Sequence, residues 1–205
     1  MSEGIADEHQ GTNDLSVLEK FQVQSPEMIL WTILYSLLGV GIYILIELIP
    51  MPYTMVSLFA FGFAPALAII AIVGAIRGPI AGLLTGYLGT LLYDLLFYST
   101  VVGMTLPYLA YGVLGFVVGL ASYDMTNGRS LVKMSVLSAV GFVFTVLLVV
   151  VIGLTLGGVS TLVGIGFVML PLLTIGLPSV FFLTPLFARL WYAVMLKFMP
   201  KALPQ

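Results

Sequence analysis

Two carboxylates stand where apolar stretches end. Asp94 lies near the close of "GPIAGLLTGYLGTLLYDLLFYST" (residues 78–100), and Glu47 near the close of "YSLLGVGIYILIELI" (35–49). An acid in such surroundings is costly unless it is paired, solvated or protonated. Tyr53, Tyr98, Tyr108 and Tyr111 fall close to the same ends. Acids with tyrosine hydroxyls and rings recognise small molecules, because aromatic walls with a few polar groups make a ligand site. They do not by themselves break bonds. The chain has no Cys, and its single His, His9, sits in a polar leading segment. Thiolate, zinc and Ser-His chemistry are therefore ruled out of the apolar part. An intramembrane aspartyl protease needs two acids within reach. The second Tyr-Asp pair ends at Asp124, in a polar loop, and no Gly-x-Gly-Asp occurs. A Ser-Lys dyad could only be Ser135 with Lys133, at a wet edge. There is no Gly-x-x-x-x-Gly-Lys loop for nucleotide phosphates. The expectation is a non-enzymatic protein without metal or cofactor.

The elements that must position these groups are membrane helices. Hydrophobic residues make up 60% of the chain and charged residues 8%, where a soluble domain carries about 25% charge. The mean hydropathy is +1.17. No soluble core buries that much apolar surface, so the solvent is a lipid bilayer. A net charge of −2 offers no footprint for nucleic acid. A span needs about 20 apolar residues. Six such runs are present, at 28–49, 54–76, 79–98, 105–123, 131–152 and 178–197. The expected fold is an all-α integral membrane protein, a compact bundle of six transmembrane helices over 27–205. Residues 1–26 are acidic and polar and read as a disordered cytoplasmic tail, not as a signal peptide. The apolar stretch at 153–177, with several glycines and Pro171, reads as a loop or half-helix tucked against the bundle.

Charge sets the expected topology. The seven cations are Lys20, Arg77, Arg129, Lys133, Arg189, Lys197 and Lys201. Six spans with a cytoplasmic N-terminus put all seven at or near the cytoplasmic side, the positive-inside pattern, with the C-terminus cytoplasmic too. Asp94 then lies four to six residues from the outer end, roughly 6–9 Å deep at about 1.5 Å per residue. It follows Gly86 and Thr90 at one-turn intervals and shares their packed face. Gly82, Gly86 and Gly89, and likewise Gly112, Gly115 and Gly119, mark faces where helices approach closely. Two readings of Asp94 fit this spacing: a structural acid bonded to neighbouring hydroxyls, or an acid lining a cavity that opens outward. The tyrosines likewise fit an interfacial belt or a cavity wall.

The segments "APALAIIAIVGAIRGPIAGLLTGYLGTLLYDLL" (64–96), "AYGVLGFVVGLASY" (110–123) and "GLPSVFFLTPLFARLWYAVM" (176–195) resemble the second and third, fourth and sixth helices of S components of energy-coupling factor (ECF) transporters. The resemblance implies a six-helix substrate-capture subunit in the plasma membrane. It implies as partners a transmembrane coupling subunit T and two cytoplasmic ATPase subunits. Glu47, Asp94, Tyr98, Tyr108 and Tyr111 are the expected substrate-binding residues, and the loop 157–176 their lid. With two acids and no cation on the outer side, the expected solute is vitamin-like and neutral or cationic. The family docks through alanines four apart in its first helix. Here Leu37 stands four before Gly41, so docking is expected through Ser36, Gly39 and Gly41. A stand-alone carrier or channel, and a structural membrane subunit, are the alternatives.

Overall fold

The computed structural model describes residues 21, 24–49, 54–56, 59–100 and 106–198. The expectations for the tail before Phe21, for Tyr53 and for Lys201 fall outside them. Six helices run in chain order: α1 (Pro26–Glu47), α2 (Pro65–Arg77), α3 (Pro79–Tyr98), α4 (Leu106–Gly119), α5 (Gly128–Thr155) and α6 (Leu170–Phe198). Among the described residues, α1, α3, α5 and the helical stretch Val163–Lys197 are long and apolar enough to cross a membrane. By helix length and composition the chain is an all-α, multi-pass membrane protein.

Helix starts follow local chemistry. Ser25 caps α1, its Oγ accepting the Met28 N–H at 3.2 Å, with Pro26 in the first turn. Asn127 caps α5, its Oδ1 accepting the Arg129 N–H at 3.0 Å. Gly78 is the single residue between α2 and α3, at φ 100°. Glycine adopts that left-handed conformation without steric cost, and Pro79 then begins α3.

The second expected span is corrected. The run 54–76 does not form one helix. Its first part is an antiparallel hairpin of β1 (Thr54–Val56) and β2 (Phe59–Phe61), with Thr54 opposite Phe61. Pro65 stops the helix from extending backwards, because proline disfavours helical backbone at the residue before it. Ala64 accordingly sits at φ −121°, ψ 77°. The remaining 13 residues of α2 rise only about 20 Å, against a hydrocarbon core of about 30 Å. The fourth span shortens too, to the 14 residues of α4.

Of the two readings of 153–177, loop or half-helix, the helical one holds from Val163 onwards. Helix α5 continues to Thr155, and a π-helical stretch, Val163–Met169, leads directly into α6. The sixth helix therefore begins at Leu170 rather than Pro178, and Pro178 and Pro185 lie inside it. An apolar segment must satisfy its own backbone polar groups, and helix is the local way to do so. Beside Pro178, the Ser179 hydroxyl donates to the Ile175 carbonyl at 2.6 Å and accepts the Ala64 N–H at 2.7 Å. One side chain thus ties α6 to the start of α2.

The short α2 is the centre of the bundle. Ten of its residues are buried, and it packs against α1, α3, α4 and α6. Leu114 and Phe142, both fully buried, join Ile70 in the main core cluster. Helices α3 and α4 meet backbone to backbone. A Cβ on Gly115 would stand 2.5 Å from the Gly82 carbonyl carbon and oxygen. Leu30, Leu45 and Leu186 are well exposed on the perimeter, as lipid-facing positions are. Arg77 Nη2 donates to the Met28 carbonyl at 3.1 Å, and Lys133 Nζ to the Ser122 carbonyl at 3.4 Å. Both cations lie where odd-numbered helices begin and even-numbered ones end. Among the described residues the opposite end carries no basic side chain.

Candidate functional site

At the cation-poor end, α1, α3, α4 and α5 surround a cavity of about 370 Å³. Helix α1 contributes Tyr43 and Glu47, one turn apart on the same face. Helix α3 contributes Thr90, Tyr93, Asp94 and Tyr98. Pro107, Tyr108 and Tyr111 come from α4, and Val149 from α5. All five expected binding residues, Glu47, Asp94, Tyr98, Tyr108 and Tyr111, thus line one space.

Local structure fixes each of them. Glycine at position 89 leaves room for the Tyr43 ring, since a Cβ there would sit 3.1 Å from Tyr43 Cδ1. That ring is 5% exposed. The Thr90 hydroxyl is used within its helix, donating to the Gly86 carbonyl at 2.7 Å. Helix α3 ends one turn past Asp94, where Ser99 takes the left-handed conformation at φ 53° and its N–H bonds the Asp94 carbonyl. The Asp94 backbone is therefore the last fixed point of α3. Its side chain is held as well: the Tyr108 hydroxyl donates to Asp94 Oδ2 at 2.9 Å. Tyr98 is 62% exposed at the rim, its ring edge-on to Tyr93 with centroids 5.9 Å apart.

Tyr43, Thr90 and Tyr93 line the cavity without having been expected there. Tyr43 could have been found from its position four residues before Glu47. Tyr93 could not, because it precedes Asp94 directly and adjacent helical residues point apart. Asp124 sits at the far end of α4 from Asp94, its Oδ1 accepting from the Thr126 N–H at 2.8 Å and from the Thr126 hydroxyl at 2.6 Å. Those bonds hold its carboxyl below the usual carboxylate range. The two Tyr-Asp acids do not meet.

The lid expected at 157–176 is corrected: from Val163 onwards that segment is helix, packed on α5, with Gly164 against Leu154 and Gly176 against Phe142. The residues expected to dock a partner differ in their placement. Ser36 and Gly39 are buried inside the bundle. The Ser36 hydroxyl donates to Thr32 and Ala81 carbonyls, and a Cβ on Gly39 would stand 2.7 Å from Val73 Cγ2 and 2.9 Å from the Thr85 side chain. Small residues there serve contacts of α1 with α2 and α3. Gly41 alone of the three is exposed, with nothing within 4 Å of a Cβ.

A second space, about 420 Å³, runs between α1, α2 and α6. Its walls are aliphatic and aromatic, with side-chain polar atoms only on Tyr35 and Trp191. It offers no acid or base. Among the described residues no group of three or more His, Cys, Asp or Glu could hold a metal ion. No family model matches the chain, and neither a curated protein nor a solved structure matches it.

Proposed function

We propose that the chain is a substrate-capture subunit of the S-component kind. In this reading it takes a small vitamin-like solute from outside the plasma membrane and delivers it through a coupling subunit driven by ATPases. The observation that carries the reading is the cavity at the cation-poor end, where Asp94 is held by Tyr108 beside Glu47 and four further tyrosines. Its size falls within the roughly 300–1,000 Å³ of small-molecule sites. It pairs acceptors with aromatic walls and lacks a nucleophile with its base, which suits binding rather than catalysis. The sequence resemblance over 64–96, 110–123 and 176–195 points the same way.

Two measurements test the reading. The purified chain should retain a solute identifiable by mass spectrometry, yet should not pump it in liposomes. Robust ATP-driven uptake by this chain alone would refute the dependence on partners. The proposed orientation places both termini in the cytoplasm, so cysteines introduced at Ser2 and Gln205 should resist an impermeant thiol reagent in intact cells. Labelling of either from outside would reverse the bundle and turn the cavity inward.

A further inference from the structure

The cavity holds two carboxylates, and among the described residues no basic side chain lines it. No Lys, Arg or His occurs in residues 21–76, 78–128 or 134–188, which include every connection at this end of the bundle. The two acids do not stand equal. Asp94 Oδ2 accepts from Tyr108, whereas Glu47 makes no hydrogen bond among the described residues. Tyr43, 5% exposed, also lines the cavity, and its hydroxyl has no hydrogen-bond partner among the described residues. The ring is packed away while the residue borders the cavity, so its hydroxyl is available to something that enters.

The occupant must bring positive charge and hydrogen-bond donors. A bare metal ion does not suit the walls, because a hard cation wants about six to eight oxygen ligands. Here five of the ten lining residues are tyrosines. Ring faces attract organic cations through their quadrupole, and carboxylates take N⁺–H donors in short, strong bonds. We propose that the solute captured here is an organic cation, with a nitrogen-centred positive charge between Glu47 and Asp94 and its body against the tyrosine rings. This rests on the capture reading above and narrows it from neutral or cationic solutes to cationic ones. Tyr43, Tyr93 and Tyr111 supply aromatic faces, and the free hydroxyl of Tyr43 accepts a second donor from the solute.

The test uses three small probes of matched size on the full chain in nanodiscs: benzylammonium, benzyl alcohol and benzoate, titrated by saturation-transfer NMR. Benzylammonium should bind about tenfold or more tighter than benzyl alcohol, and benzoate weakest, as expected for charge-assisted bonds. Glu47→Gln and Asp94→Asn should each reduce that preference, and the double variant should abolish it, so that benzylammonium binds no tighter than benzyl alcohol to the same variant. The wild-type ranking stands without the variants, so a folding defect in one of them does not blunt the test. Benzyl alcohol or benzoate binding as well as benzylammonium overturns the cationic solute and leaves capture intact. A preference that survives the double variant overturns the placement of the charge. No binding by any probe, together with no co-purifying solute, overturns capture itself.

Discussion

Replacing Asp94 by Asn is expected to weaken solute binding roughly 10- to 150-fold while the chain still folds. A hydrogen bond to a charged group contributes about 1.5–3 kcal/mol, and about 1.4 kcal/mol is a decade of affinity. Folding should survive because the amide oxygen of Asn can still accept the Tyr108 hydroxyl, now 2.9 Å from Asp94 Oδ2. Removing the charge also leaves Glu47 as the only acid among the described lining residues. Titration of wild type and variant with the solute identified by mass spectrometry checks this. Unchanged affinity would make Asp94 a structural acid whose task is to anchor Tyr108. Tyr108→Phe separates the two roles. It removes the anchor and keeps the charge, so it should reduce affinity less than Asp94→Asn does.

The second large effect is on stability. Gly115→Ala should lower the melting temperature strongly in detergent, and Gly41→Ala should not. The new methyl at 115 would stand 2.5 Å from backbone atoms of Gly82. Backbone cannot turn aside, so α3 and α4 must part, at a typical overpacking cost of about 1–3 kcal/mol. The intrinsic gain of Ala over Gly in a helix, about 1 kcal/mol, opposes this without matching a clash of that kind. Gly39→Ala should fall between, because it meets Val73 and Thr85 side chains, which can shift. A Gly115 variant as stable as Gly41→Ala would show that the α3–α4 contact is looser than its geometry.

The placement of Asp94 was legible in the sequence because one periodicity carries it. Gly86, Thr90 and Asp94 follow each other by one turn. Gly86 packs on Tyr111 and Gly112, Thr90 bonds back to Gly86, and Asp94 meets Tyr108. The six helices were legible for a similar reason, since apolar runs and prolines mark them. What hydropathy could not resolve was conformation inside an apolar run. The stretches 54–56 and 59–61 are greasy, as is 163–177, yet the first two pair as strands and the last is helix. Pro65 carried the signal for the strands. In the last, Pro171 and the glycines suggested a break, but the helix runs on past Pro171 from the π-helical stretch. The burial of Ser36 and Gly39 was not legible for a different reason. A small residue signals close approach without saying whether the neighbour is in the same chain.

The single-residue link at Gly78 has a mechanical consequence. It makes α2 and α3 two arms of a lever whose fulcrum lies at the cation-bearing end. Asp94 is 16 residues along the α3 arm, about 24 Å from the fulcrum. A change of about 5° in the angle between the arms would carry Asp94 by about 2 Å, enough to break its bond to Tyr108. The contacts that set this angle are Gly82 on Gly115 and Gly86 on Gly112, both nearer the fulcrum than Asp94 is. The accuracy of the acid's position is therefore machined far below the cavity, and small errors there arrive magnified at the rim.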